Sequence, residues 1–177
     1  EISYDPRAED IPTGLVHDFQ YKEGAFIPGF LNPRRSKLPE ALDDFYFTPN
    51  YSELMGAGRS AGKGRVVNLD VRKVVADLDI SGMPHLGSGI RFDWQEAGKT
   101  RRVMASPNLK EGSLTIIDMN DWATIKRIAT NGPGFFVRGH ERSPYFWADA
   151  MMSKSKNRIE IFDKRNLAKA GEVAVEE

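Results

Sequence analysis

A repeat with a period near fifty residues constrains this chain more than any other feature of it. Phe45–Pro49, Glu53–Gly58, Arg65–Asp70 and Lys73–Leu78 read as four short strands separated by turn residues. The order returns in Ile90–Phe92, Arg102–Ala105, Ser113–Asp118 and Thr124–Ile128, and again in Phe135–Arg138, Tyr145–Ala148, Arg158–Asp163 and Gly171–Val175. From Asp70 to Asp118 is 48 residues and from Asp118 to Asp163 is 45. Four strands per unit of that length predict an all-β fold, a β-propeller of four-stranded antiparallel blades with units at 38–81, 82–131 and 132–177.

Residues 1–37 are less regular, because Pro6, Pro12, Pro28 and Pro33 interrupt them. Strands are expected around Leu15–Phe19 and Ala25–Phe30, as the end of a preceding blade and its connecting loop. The best helical candidate, Lys37–Asp44, is short and contains Pro39. A propeller removes its sheet edges by closing a ring of about four to eight blades. An arc of three and a half is therefore expected to be part of a larger ring, completed by further blades or by a partner chain.

Composition removes several classes of function. The chain has 25 Lys and Arg against 25 Asp and Glu, with no basic run carrying interleaved aromatics, so nucleic acid is not an expected partner. No apolar run is long enough to span a bilayer, and Glu1-Ile2-Ser3-Tyr4 is not a signal peptide. The absence of an initiating Met reads as processing or truncation. With no cysteine, the polypeptide has no disulfide, no thiolate metal site and no Cys-x-x-Cys-His attachment of haem; no metal ligands are assigned.

One segment has the look of a presented site. Gly82-Met83-Pro84-His85-Leu86-Gly87-Ser88-Gly89 sets a single imidazole in a loop whose glycines allow close approach of a flat ligand. In a propeller, loops leading into the first strands converge on one rim of the central channel. Asp43, His85 and Phe136 are the expected occupants of that rim: a carboxylate, an imidazole and an aromatic face.

The run from Leu42-Asp43-Asp44 through this octapeptide to Gly132-Pro133-Gly134-Phe135-Phe136-Val137-Arg138-Gly139-His140 resembles the haem d1-binding propeller of the cytochrome cd1 nitrite reductases and their haem d1-assembly relatives. The resemblance implies an eight-bladed periplasmic propeller holding haem d1, with the iron's ligand outside this chain and a cytochrome c domain or protein as electron donor. It implies that His85 acts on nitrite at the iron, that Phe136 packs on the macrocycle, and that Gly87 and Ser88 lie beside it. Two departures stand out. Asp43 stands where the reductases carry a second distal histidine, and Ser88 where they commonly carry an arginine.

Reduction of nitrite to nitric oxide and water consumes two protons, which two imidazoles supply well. A carboxylate, ionised at neutral pH, suits a base that takes a proton from a tetrapyrrole side chain. The main expectation is a fragment of a nitrite reductase-type oxidoreductase of denitrification. The alternative is a haem d1 biosynthesis protein of the dihydro-haem d1 dehydrogenase type, and a second alternative is a propeller used only for protein interaction. Each residue also has a plainer reading: His85 as a turn histidine, Asp43 as a turn cap in competition with Asp44, Phe135 or Phe136 as core. His140 is expected to make a structural hydrogen bond, Trp94, Trp122 and Trp147 to be core, and Gly58–Gly64 to be a hairpin turn.

Overall fold

In the computed structural model, residues 2–4, 14–18, 34–38, 42–58 and 62–176 are described, and their regular structure is antiparallel sheet save for one short 3₁₀ turn. Three strands, β1 (Ile2–Tyr4), β2 (Gly14–Asp18) and β3 (Arg34–Lys37), form one sheet in the order β1-β2-β3. The expected strand at Leu15–Phe19 is β2, shifted by one residue, and the one at Ala25–Phe30 lies outside the described residues. Three four-stranded sheets follow. They comprise β4 (Asp44–Phe47), β5 (Glu53–Ala57), β6 (Gly64–Asn68) and β7 (Lys73–Leu78); β8 (Ile90–Glu96), β9 (Lys99–Pro107), β10 (Ser113–Asp118) and β11 (Thr124–Ala129); and β12 (Val137–Gly139), β13 (Tyr145–Asp149), β14 (Arg158–Asp163) and β15 (Ala168–Ala174). Each runs in sequence order, up and down, as a propeller blade does.

The repeat is visible in backbone detail. The pairing of third and fourth strands shifts register at Val66/Val67, at Ile116/Ile117 and at Ile161/Phe162, spacings of 50 and 45 residues. The turn after each third strand contains one left-handed residue at the same spacings: Arg72 at φ 57°, Trp122 at φ 64° and Leu167 at φ 58°. That turn is built by the residue ending the third strand. Asn68, Asp118 and Asp163 each accept, through Oδ1, the backbone N–H two residues on. The true counterpart of Asp118 and Asp163 is therefore Asn68, not Asp70, which lies exposed in the turn.

Strand alternation explains the packing. In the central strands both faces are buried, so successive residues serve different cores. Met55 and Val66 face Met104, Ile117 and Leu86 of the second blade, whereas Leu54 and Val67 face Leu38 and Leu42. On the other side of the second blade, Val103, Ala105, Leu114 and Ile116 meet Val137, Phe146 and Phe162 of the third. Phe146 is the centre of an aromatic stack, with ring centroids 5.4 Å from Phe92 and 5.3 Å from Phe162. Trp94 joins this core and donates its indole N–H to the Arg165 carbonyl at 3.1 Å. Trp122 packs on the first interface, and Trp147 is half-buried on the far face of the last blade.

Candidate functional site

The octapeptide is shaped by left-handed backbone at its start and by a helical turn at its end. Gly82 sits at φ 76° and Met83 at φ 58°, folding the chain so that the Gly82 and Met83 carbonyls accept from Lys110 and Leu109. The His85 N–H donates to the Pro107 carbonyl at 2.8 Å. Leu86–Ser88 then form one 3₁₀ turn, which the glycine spacing did not announce. Leu86 and Ser88 are buried while Gly87 is exposed.

Two contacts from neighbouring blades secure this loop. The first comes from Asp44, whose carboxylate accepts the Gly87 N–H with both oxygens at 3.2 Å. A Cβ at position 87 would lie 2.8 Å from Asp44 Oδ1 and 3.1 Å from the Phe45 carbonyl, so the glycine is required by that approach. Asp44 is thus the carboxylate that holds Gly87. The second contact is from His85 itself, whose Nδ1 lies 2.8 Å from the carbonyl oxygen of Phe135. A carbonyl can only accept, so Nδ1 carries a proton, and Nε2 is the ring nitrogen left to face a ligand.

Phe135 is in turn held by Asp149, at the end of β13. The Asp149 carboxylate accepts from the backbone N–H of Phe135 at 3.0 Å, of Phe136 at 2.6 Å and of Met151 at 3.0 Å. The Phe135 ring meets His85 edge-on at 5.6 Å, and the Phe136 ring lies 6.4 Å from it.

Asp43, His85 and Phe135, with Met83, Pro84 and Leu109, line one cavity of about 160 Å³. Phe136 is not among its lining residues; it is 43% exposed and stands beside His85 with the Arg138 guanidinium over its ring at 5.1 Å. Of the expected trio, Asp43 and His85 line this cavity and Phe136 stands beside it. The cause is register. Met55, Ala105 and Trp147 oppose the three bulges, and their first-strand partners are Tyr46, Ile90 and Arg138. Counting back, Asp43 corresponds to Gly87 and Phe135, and His85 stands two residues ahead of them. The 3₁₀ turn, not blade symmetry, carries its ring to the shared cavity.

Ser88 is buried, and its carbonyl accepts from Arg138 at 2.9 Å. A second, larger groove of about 450 Å³ runs along the three first strands, past Tyr46, Ile90, Arg91, Asp93 and Gly139 to Lys164. Lys164 donates to the carbonyls of His140 and Ser143 at 2.8 and 2.9 Å, and burial pulls its ammonium pKa below the ordinary value. His140 makes a structural turn contact, with Nδ1 accepting the Arg142 N–H at 3.2 Å. Two carboxylates of the third blade are held strongly acidic. Asp163 is held at about 2 by the Arg165 guanidinium and backbone N–H, and Glu172 at about 2 by Lys169, Asn131 and Arg158. Arg138, Asp149 and Phe135 are site residues that sequence reasoning did not single out.

The cytochrome D1 heme domain profile matches residues 19–176. The chain is 44% identical over 135 residues to the dihydro-heme d1 dehydrogenase of Pseudomonas aeruginosa, covering 76% of this chain and 27% of that protein. It is 26% identical over 132 residues to the nitrite reductase of Stutzerimonas stutzeri, covering 66% of this chain and 23% of that protein. Among solved structures, dihydro-heme d1 dehydrogenase NirN in complex with DHE superposes with a TM-score of 0.81 at 38% identity, over 93% of this chain and 33% of that one. Kuenenia stuttgartiensis hydrazine synthase, at TM-score 0.60 and 14% identity, shares the fold over 89% of this chain and 40% of that one. The chain thus spans about a quarter to a third of the length of the d1-type relatives it matches.

Proposed function

The chain belongs to the cytochrome D1 heme domain family, and from that premise we propose that it is the rim-bearing part of a propeller that binds dihydro-haem d1 and dehydrogenates it. The observation that carries this reading is the bond from His85 Nδ1 to the Phe135 carbonyl. It commits the neutral ring to presenting Nε2 as a proton acceptor. Asp43, which lines the same cavity, adds a carboxylate, so the pair suits proton removal better than the proton delivery that nitrite reduction requires. The relation to the dehydrogenase at 44% identity, against 26% to the nitrite reductase, weighs the same way and places nitrite reduction second.

The residues fit a flat macrocycle. A cavity of about 160 Å³ is smaller than the roughly 300–1,000 Å³ of ordinary small-molecule sites, so it receives an edge of the ligand, not the whole. The exposed Phe136 ring offers an apolar face beside it. Dehydrogenation of a saturated carbon pair makes one C=C bond and releases two protons and two electrons. His85 Nε2 takes one proton, Asp43 accepts or relays the other, and the electrons leave to an external one-electron carrier of cytochrome c type. Further blades complete the ring, and the periplasm is the place of action.

The test is turnover of the protein with dihydro-haem d1 and an artificial electron acceptor, followed by visible absorption. His85→Ala is expected to lower the rate by about 10²–10⁴-fold while leaving binding within a few-fold. Nitrite reduction faster than dehydrogenation would overturn the assignment in favour of the reductase. An unchanged spectrum on adding dihydro-haem d1, and likewise on adding haem d1, would leave only an interaction module.

A further inference from the structure

Arg138 lies on the first strand of its blade, yet its side chain reaches the neighbouring blade. Its Nη1 donates to the Ser88 carbonyl at 2.9 Å and to its neighbour Val137 O at 2.8 Å, and its Cζ lies 5.1 Å from the centre of the Phe136 ring. A guanidinium has five N–H donors. The two carbonyls occupy Nη1 alone. Among the described residues, Nε and Nη2 make no hydrogen bond and no ion pair, although the residue is exposed and both nitrogens share the guanidinium plane.

A guanidinium fixed at one nitrogen and supported over an aromatic ring has lost most of its rotamer freedom already. It can receive a second planar group with little further ordering cost. The Nε and Nη2 edge presents two parallel N–H donors, the geometry that matches the two oxygens of a carboxylate. Phe136 shares this position with His85, its ring 6.4 Å from the imidazole. Two carboxylates of the rim are engaged elsewhere: Asp44 on Gly87 and Asp149 on the Phe135 and Phe136 backbone.

Resting on the ligand class proposed above, we infer that Arg138 is the carboxylate-binding residue of this rim: it grips an acidic side chain of the tetrapyrrole through Nε and Nη2, and so sets which edge of the macrocycle lies next to His85. Phe136 then has two tasks. One face supports the guanidinium, and its exposed surface meets the apolar body of the ligand. Orientation comes from Arg138, chemistry from His85.

The test compares dihydro-haem d1 as the free acid with its methyl ester, each titrated into the protein and followed by visible absorption. Arg138→Gln keeps a donor for the Ser88 carbonyl but loses the charged fork. It is expected to weaken the free acid on the order of tenfold to a hundredfold and to leave the ester nearly unchanged. Arg138→Lys is expected to recover only a small part of the loss, because an ammonium cannot make the paired contact. High salt should narrow the gap between acid and ester in the unaltered protein. Equal weakening of acid and ester by Arg138→Gln, or none, would overturn the inference and make Arg138 a packing residue. Arg138→Lys binding the acid as tightly as the unaltered protein would overturn the paired contact. If neither ligand form bound the unaltered protein, the functional reading would fail, and this one with it.

Discussion

Removing the Asp149 carboxylate should loosen the site and lower stability together, by amounts that follow from its three backbone bonds. It accepts from Phe135, Phe136 and Met151, of which Phe136 and Met151 are exposed while Phe135 is half-buried. Hydrogen bonds to a charged acceptor contribute about 1.5–3 kcal/mol when water cannot replace them, and well under 1 kcal/mol when it can. One shielded and two wet bonds bring Asp149→Ala to about 2–3 kcal/mol. For a chain of this length that lowers the melting temperature by roughly 5–10 °C. The consequence for the site is separate and can be read directly. Phe135 would no longer hold its carbonyl against His85 Nδ1, so the imidazole would populate both neutral tautomers. Long-range ¹H–¹⁵N correlation on labelled protein resolves this. The unaltered chain should show Nδ1–H alone, Asp149→Ala a mixture, and Asp149→Asn, which retains one acceptor oxygen, an intermediate result. A melting temperature within 1 °C of the unaltered protein would refute the bonding argument. A lowered melting temperature with the tautomer unchanged would refute the coupling to His85.

Gly87→Ala places its new carbon 2.8 Å from Asp44 Oδ1, which should break the Asp44 latch and cost about 1–3 kcal/mol, read as a lower urea midpoint. Phe146→Ala empties the middle of the stack between Phe92 and Phe162. A loss of about 3–5 kcal/mol is expected, enough to leave the third blade without cooperative near-ultraviolet dichroism. Acid stability depends on Asp163 and Glu172, both held at about 2, below ordinary carboxylates. Because their pKa values are depressed on folding, their contribution is complete above pH about 4.5 and is lost as pH falls toward 2. The urea midpoint should fall across that window, and Arg165→Met should flatten the part due to Asp163.

Much of the fold was legible before any coordinates. Alternating apolar residues, turn residues at their ends and a period near fifty are local signals, and each four-stranded sheet runs within a few residues of where they place it. The same signals failed at the third-strand ends. Asp70 resembled Asp118 and Asp163 by residue type, yet the turn is built by Asn68, because an Asx turn accepts either side chain. The octapeptide was legible as a presented imidazole, since Gly and Pro state their backbone preferences locally.

What the sequence by itself determined is thus the blade, its repetition and the presence of one histidine in a glycine-lined loop. What only the tertiary structure decided is the company that histidine keeps. His85 meets Phe135, and Arg138 meets Ser88, each across fifty residues of chain. Asp44 rather than Asp43 latches the loop, and Phe135 rather than Phe136 lines the cavity. These choices hang on the register between blades, set by how Met104, Ile117, Phe146 and their neighbours interdigitate. A shift of one residue along a strand exchanges the two faces, so adjacent residues of the same kind take opposite roles, and nothing local in the chain distinguishes them.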